Sequence, residues 1–143
     1  MRAIILLGHG SRVPDAGRDM ESVAAALQAR NGHELVEVCY MSQLGPHFPE
    51  AFAKCVARGA REVVVIPYFL HVGQHLRADI PRILQREAAR HPDVKIILGR
   101  NLGFDPALVD LVDKRIGESL SLADVRTLAV PPDDAEHPAE HQH

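Results

Sequence analysis

Val63–Ile66 is a run of four consecutive β-branched residues, and Pro67 follows it directly. The run predicts a strand that is buried on both faces, because β-branched side chains pack well on a pleated sheet. Pro67 has no backbone N–H to donate to the next ladder hydrogen bond, so the strand is expected to end there. A strand covered on both faces is typical of a parallel α/β sheet.

Three further apolar segments alternate with four helical patterns, and the strands are predicted at Ala3–Leu7, Leu35–Met41, Glu62–Ile66 and Val94–Leu98. The helical stripes are Met20, Val23, Ala24 and Leu27; Phe48, Phe52, Cys55 and Val56; Ile80, Ile83, Leu84 and Ala88; and Leu108, Val112 and Ile116. This alternation predicts a three-layer α/β fold, in which a four-stranded parallel sheet has helices on both faces and right-handed crossovers.

The helix boundaries follow from proline, glycine and capping residues. The third helix is expected to open near Arg77 with Pro81 in its first turn, where proline is tolerated. Asp105 is predicted to cap the fourth helix, with Pro106 at its first position. Residues 1–120 are therefore predicted to form one domain. Residues 121–143 lack periodicity and are expected to form a flexible acidic tail that contains histidine.

The composition limits the classes of function. The 16 basic and 19 acidic residues give a formal charge of −3, and the basic residues are not gathered in a block, so nucleic acid is not an expected partner. No apolar run is long enough to span a membrane, and the first strand is too short for a signal peptide. Cys39 and Cys55 have no metal-type spacing and are expected to be buried reduced thiols. A cytoplasmic protein is the interpretation.

Histidines follow two of the predicted strands. His9 lies between Gly8 and Gly10 after the first strand, while His71 and His75 follow the third strand on either side of Gly73. Open parallel sheets bind ligands at the carboxyl ends of their strands, so a metal ligand or general base is expected there. The alternatives are that His9 only hydrogen-bonds the following helix and that His71 points to solvent.

Other polar residues near these strand ends have structural or functional interpretations. Ser11 and Arg12 fit a helix cap and a solvated charge, although they would also suit an anionic group of a substrate. Asp79 could accept a hydrogen bond from an imidazole or simply favour the helix dipole. His47 is interpreted as a surface residue. Imidazole ligands without a thiolate suit divalent Co, Ni, Fe or Zn.

Two segments together resemble a known family. Leu6–Arg12 (LLGHGSR) and Pro67–Pro81 (PYFLHVGQHLRADIP) are similar to the two signatures of the sirohydrochlorin cobaltochelatases and ferrochelatases, the class II chelatases that need no ATP. The similarity in element order covers about Met1 to Gly117. The length resembles the short, single-lobe members, which implies a homodimer with the tetrapyrrole in the cleft between the two lobes.

The resemblance assigns roles to particular residues. It implies that His9 and His75 bind the incoming metal and assist in removing the pyrrole protons, and that His71 occupies a variable position. Many relatives have a glutamate after the second strand, where this chain has Ser42. Ser11, Arg12, His71, Gly73 and Arg77 are expected to contact the tetrapyrrole; since such substrates carry many carboxylates, the arginines would steer them.

The expected activity is insertion of a divalent metal into sirohydrochlorin or a related tetrapyrrole. Co²⁺ is favoured, with Fe²⁺ or Ni²⁺ as alternatives, and no permanently bound cofactor is expected. The rival hypotheses are a carrier of metal or tetrapyrrole without catalysis, and a phosphohydrolase. Gly8 precedes His9 where a phosphohistidine enzyme would have arginine, and no Gly-x-Ser-x-Gly elbow occurs, so the hydrolase is disfavoured.

Overall fold

A computed structural model describes residues 1–10, 18–30, 32–42 and 44–132. The chain divides into two compact units, Met1–Gly103 and Phe104–His143. The first unit contains β1 (Arg2–Gly8), α1 (Arg18–Gln28), β2 (Leu35–Tyr40), α2 (Phe48–Ala57), β3 (Glu62–Pro67), α3 (Gln74–Arg90) and β4 (Lys95–Leu98). The second contains α4 (Pro106–Ser119) and a short 3₁₀ helix, Val125–Thr127.

The four strands form one parallel sheet in the order β2-β1-β3-β4. β1 is central, and Leu7 pairs with Cys39 of β2 on one side and with Pro67 of β3 on the other. The strand that carries Val63–Ile66 is therefore an inner strand. Val63 and Val65 are buried on one face, whereas Val64 and Ile66 on the other face are half-buried, which is less than the predicted burial on both faces. Both the parallel sheet and the alternation of strands with helices confirm the predicted fold class.

Alternate residues of each strand point to opposite faces of the sheet, and a separate cluster of buried side chains covers each face. On one face α2 and α3 pack their stripes, and on the other face α1 packs Met20 and Ala24 against Leu6 and Val36. The larger cluster has Phe48, Phe52, Ile80 and Leu84 from the helices above Ile5, Leu7, Val63 and Val65 from the strands. Helices therefore cover both faces, which gives the predicted three layers.

Pro81 does not lie in the first turn of α3, so that prediction is wrong. The helix begins at Gln74, and Pro81 falls inside it. A proline inside a helix costs about 3 kcal/mol, since it removes a backbone donor and its ring crowds the preceding turn. Ile80 and Leu84 are buried on either side of Pro81. Their burial, at about 1.5–3 kcal/mol each, offsets that cost and keeps the helix continuous.

The second unit contains an amphipathic helix whose apolar stripe is exposed. Asp105 caps α4 by accepting a hydrogen bond from the Ala107 N–H at 2.9 Å, and Pro106 occupies the first turn, as predicted. No residue of α4 is buried. Val112 and Ile116, two members of the predicted stripe, are 54% and 55% exposed. The helix is therefore where the pattern predicts it, with Val112 and Ile116 exposed and Leu108 half-buried.

Two other expectations concern the thiols and membrane segments. Cys39 and Cys55 are both free and buried, as predicted. Within the described ranges, no helix is both long enough and apolar enough to cross a membrane. The predicted tail, residues 121–143, lies only partly in the described chain, because the structure describes nothing beyond residue 132. Its flexibility remains a prediction.

Candidate functional site

The loops that carry the candidate histidines leave the sheet at neighbouring points. From β1 the chain moves to β2 on one side, and after β2 it crosses to β3 on the other side, so the connections diverge between β1 and β3. In an open α/β sheet such a switch point leaves a crevice at the carboxyl ends of the two strands, which is where ligands bind. His9 follows β1, and His71 and His75 follow β3. The sheet order therefore brings both histidine-bearing segments to one crevice.

The segment after β2 holds the backbone of His9. The carbonyl oxygen of His9 accepts hydrogen bonds from the Ser42 N–H at 3.2 Å and from the Ser42 hydroxyl at 3.1 Å. The His9 ring is half-buried and meets the Phe69 ring edge-on, with centroids 6.3 Å apart and an interplanar angle of 84°. The loop after β2 thus holds the backbone of His9, and the loop after β3 contacts its ring.

His75 lies inside α3 rather than before it, because the helix begins at Gln74 and not near Arg77. Gly73 is the N-cap, with extended backbone angles, and its carbonyl accepts the first helical hydrogen bond from the Arg77 N–H at 3.0 Å. Gly73 has no side chain to signal a cap, and the absence of Ser, Thr, Asp or Asn there made the start hard to predict. His75 is exposed in the first turn of the helix.

His71 and Arg77 line one pocket of about 340 Å³, between the ends of β3 and β4 and the start of α3. His71 and Arg77 are otherwise exposed. Neither His9 nor His75 lines this pocket, so the candidate residues divide into two groups. Ser11 and Arg12, which were predicted to contact the tetrapyrrole, lie outside the described residues.

The part of the chain that the structure describes contains no group of three or more His, Cys, Asp or Glu side chains that could hold a metal ion. The candidate donors that follow these strand ends are the imidazoles of His9, His71 and His75. A closed structural metal site uses four protein ligands, whereas a site that exchanges or transfers its ion keeps positions open. One or two imidazoles at strand ends suit a site that transfers its metal ion.

The structure gives Ser42, Phe69 and Asn101 roles that sequence reasoning missed. Ser42 anchors His9 and Phe69 contacts its ring, as described above, and Asn101 donates from its side-chain nitrogen to the Leu70 carbonyl at 3.0 Å. These pairs are 31 to 60 residues apart in sequence. The signal that could have identified Asn101 is its position just after β4, since the strand-end rule applied to β1 and β3 applies there too.

Other candidate residues have structural environments. His47 is half-buried at the N-cap of α2, and its N–H donates to the Glu50 carboxylate at 3.1 Å, a capping-box contact. Asp79 pairs with Arg82 at 3.4 Å. The tail histidines lie outside the described residues.

Burial keeps the two thiols protonated. Desolvation, with a smaller contribution from Cys55, raises the pKa of Cys39 to about 12. Desolvation also raises the pKa of Cys55 to about 11, with Glu37 adding to the shift. A thiolate is the form that binds metal or acts as a nucleophile. Both cysteines therefore belong to the core and not to the site.

The CbiX family model matches residues 3–119. The chain belongs to the CbiX family. This CbiX chain is 31% identical over 119 residues to the sirohydrochlorin cobaltochelatase of Priestia megaterium, covering 83% of the chain and 39% of the relative. It is 33% identical over 118 residues to the chloroplastic sirohydrochlorin ferrochelatase of Arabidopsis thaliana, covering 82% and 52%. The chain thus spans about half the length of these curated relatives.

A shorter relative and two solved structures complete the comparison. The sirohydrochlorin cobaltochelatase of Methanopyrus kandleri is 32% identical over 140 residues, covering 84% of this CbiX chain and 98% of the relative. A CbiX protein of Marinobacter aquaeolei VT8 superposes with a TM-score of 0.72 at 28% identity, covering 84% and 98%. The cobalt complex of the sirohydrochlorin chelatase SirB from Bacillus subtilis subspecies spizizenii superposes with a TM-score of 0.75 at 30% identity, covering 82% of this chain and 50% of that structure. The predicted family and fold are confirmed.

Proposed function

We propose that this CbiX chain inserts a divalent metal ion into sirohydrochlorin or a closely related tetrapyrrole without using ATP. The observation that carries the proposal is the convergence of the loops that bear His9 and His75 at the switch point between β1 and β3. The relatives matched over most of this chain are named as sirohydrochlorin chelatases, which supports the same substrate class. Co²⁺ is the proposed metal, with Fe²⁺ and Ni²⁺ as alternatives.

The proposed reaction exchanges two protons for one metal ion. The free-base macrocycle loses two pyrrole N–H protons and gains the divalent ion, so the macrocycle keeps its overall charge. Neutral imidazoles of His9 and His75 hold the ion by one or two bonds, which leaves positions open for the pyrrole nitrogens. Once the ion has passed to the pyrrole nitrogens, the freed imidazole nitrogens can accept the released protons and pass them to water.

Ser42 takes a positioning role in this proposal. Its N–H and hydroxyl both donate to the His9 carbonyl. The hydroxyl is not a base near neutral pH, so proton removal is left to the imidazoles. His71, Gly73 and Arg77 at the start of α3, with Ser11 and Arg12, are proposed to contact the macrocycle.

We also propose that two copies of the chain form the working unit. Val109, Val112 and Ile116 of α4 are all more than half exposed, and burying each such side chain would contribute about 1.5–3 kcal/mol. A second copy presents the same surface, as a two-fold interface requires. Two short chains would also supply the amount of chain that the longer relatives contain.

The chain is also proposed to act in the cytoplasm, because its two cysteines are buried and free.

Time-resolved absorbance spectroscopy tests the proposed activity. The wild-type chain is mixed with excess metal-free sirohydrochlorin and Co²⁺, with no nucleotide present. We expect many equivalents of the cobalt complex per chain, at a rate well above that of the protein-free mixture. A carrier would instead bind about one equivalent without turnover. That result, or a requirement for ATP, would overturn the proposal.

A further inference from the structure

The pocket beside α3 has an apolar wall and a basic rim, and neither His9 nor His75 lines it. Its apolar lining includes Leu76, Ile80 and Leu98. The basic and polar lining comes from His71, Arg77, Arg100 and Asn101. Its volume of about 340 Å³ is near the lower end of the ~300–1,000 Å³ typical of sites for drug-sized ligands. A side arm of a large substrate therefore fits better than a whole macrocycle.

The two guanidinium groups at this pocket have no carboxylate partner among the described residues. No acidic residue is among the lining residues. Across the described residues, neither Arg77 nor Arg100 forms an ion pair, whereas Arg82, on the same helix as Arg77, pairs with Asp79. The start of α3 adds the partial positive charge of a helix N-terminus. The pocket is therefore suited to a negatively charged group that carries some apolar surface.

Backbone and side-chain contacts fix Arg100 beside the pocket. The Gly99 N–H donates to the Val65 carbonyl at 2.8 Å. On the other side of Arg100, the Asn101 side chain donates to the carbonyls of Phe69 at 3.4 Å and Leu70 at 3.0 Å. These bonds tie the loop after β4 to the loop after β3. Since Arg100 lies between two anchored residues, little backbone ordering is needed when it binds an anion.

We propose that this pocket binds a peripheral carboxylate arm of the tetrapyrrole. Arg77 and Arg100 bind the carboxylate oxygens, because guanidinium groups match carboxylate geometry. Leu76 and Leu98 contact the methylene groups of the arm. Asn101 is a positioning residue that acts through Arg100. The inference rests on the proposed function for the identity of the substrate, but the binding of a carboxylate can be measured without turnover.

The test compares three single substitutions that each remove one positive charge: Arg77→Gln, Arg100→Gln and, as the matched control, Arg86→Gln. Arg86 is exposed on α3 and does not line the pocket. Fluorescence titration gives the Kd for metal-free sirohydrochlorin, and initial rates of Co²⁺ insertion give KM and kcat. We expect the Kd and KM to rise about tenfold for each pocket variant, with a smaller change in kcat, and to stay within about twofold for the control.

The role of Asn101 is tested by a double variant. Asn101→Ala is expected to raise KM, and the Asn101→Ala/Arg100→Gln pair should raise it no further than Arg100→Gln alone, since both changes remove the same contact. Additive effects would show that Asn101 does not act through Arg100. Circular dichroism of each variant separates loss of the fold from loss of binding.

The outcomes separate this inference from the proposed activity. If the pocket variants bind and use sirohydrochlorin as well as the wild-type chain does, the pocket inference is wrong and the activity stands. If neither the wild-type chain nor any variant inserts metal, but the pocket variants bind sirohydrochlorin about tenfold more weakly than the wild-type chain, the proposed activity is wrong and the pocket inference is supported. A titration with succinate, followed by the NMR shifts of backbone amides near Asn101, tests whether the pocket binds a free dicarboxylate. Succinate binding that Arg100→Gln abolishes, with sirohydrochlorin binding unchanged, would assign the pocket to a free anion and overturn the inference.

Discussion

Gly10→Ala is expected to damage the crevice more than the chain as a whole. Gly10 has a φ of +98°, a region that side-chain-bearing residues rarely adopt. A Cβ at Gly10 would lie 2.2 Å from the carbonyl oxygen of Ser42, which is backbone and cannot rotate away. Such contacts require at least 3.0 Å, so the two loops must separate by about 0.8 Å (3.0 − 2.2). That movement disrupts the hydrogen bonds from Ser42 to the His9 carbonyl.

Gly59→Ala provides the matched control. Gly59 has a nearly identical φ of +96°, but a Cβ there would meet nothing within 4 Å. The backbone strain alone costs about 1–2 kcal/mol. At Gly10 the steric overlap adds about 1–3 kcal/mol, by analogy with overpacked cores. We therefore expect the free energy of unfolding to fall by about 1–2 kcal/mol for Gly59→Ala and about 2–5 kcal/mol for Gly10→Ala.

Urea denaturation followed by circular dichroism gives the two free energies, and Co²⁺ insertion is measured on the folded fraction. A misplacement near 1 Å can cost about a hundredfold in rate, so insertion by Gly10→Ala should fall about 10- to 100-fold. Gly59→Ala should retain the wild-type rate. Equal destabilisation by the two substitutions, or an unchanged insertion rate in folded Gly10→Ala, would refute the reasoning.

Three further predictions concern the thiols and the fourth helix. The raised pKa values keep Cys39 and Cys55 protonated in the folded state, whereas an unfolded thiol ionises near 9.0, so the free energy of unfolding should fall as pH rises from about 9 towards 11. Urea denaturation at a series of pH values should show a shallower fall for a Cys39→Ala/Cys55→Ala variant than for the wild-type chain. Parallel pH dependences of the two proteins would contradict this. Ile116→Glu should convert dimers to monomers in light scattering while Lys114→Glu does not; a monomeric wild-type chain would refute the proposed dimer. Asp105→Ala should lower the free energy of unfolding by about 1 kcal/mol through loss of the N-cap, measured by thermal melting, and an unchanged or higher value would show that the cap contributes nothing.

The order of elements could be predicted from sequence because each element has a local signal. The β-branched run at Val63–Ile66, the apolar stripes and the Asp105–Pro106 pair are short-range patterns. The start of α3 could not be predicted in the same way, since Gly73 caps it without a side chain. The prediction for Pro81 is wrong for the same reason, because the helix begins three residues before Arg77.

The candidate site was predictable only in part. His9, His71 and His75 follow strand ends, and that position alone identifies them as candidates. The contacts that fix the site depend on strand order and on how loops pack: Ser42 reaches His9, and Asn101 reaches Leu70, across more than thirty residues of sequence. The exposure of α4 could not be predicted either, because an apolar stripe does not say what covers it.

Co²⁺ insertion into sirohydrochlorin by the single variants His9→Ala and His75→Ala tests most directly whether the two strand ends work together. His33→Ala is the control, since His33 precedes β2 at the opposite edge of the sheet. His75 is exposed in the first turn of α3, where alanine is a good helix former, so the substitution should change stability by less than about 0.5 kcal/mol. The proposal predicts that insertion falls at least about a hundredfold in each crevice variant and is unchanged in the control. Wild-type rates in a folded His75→Ala chain would contradict it.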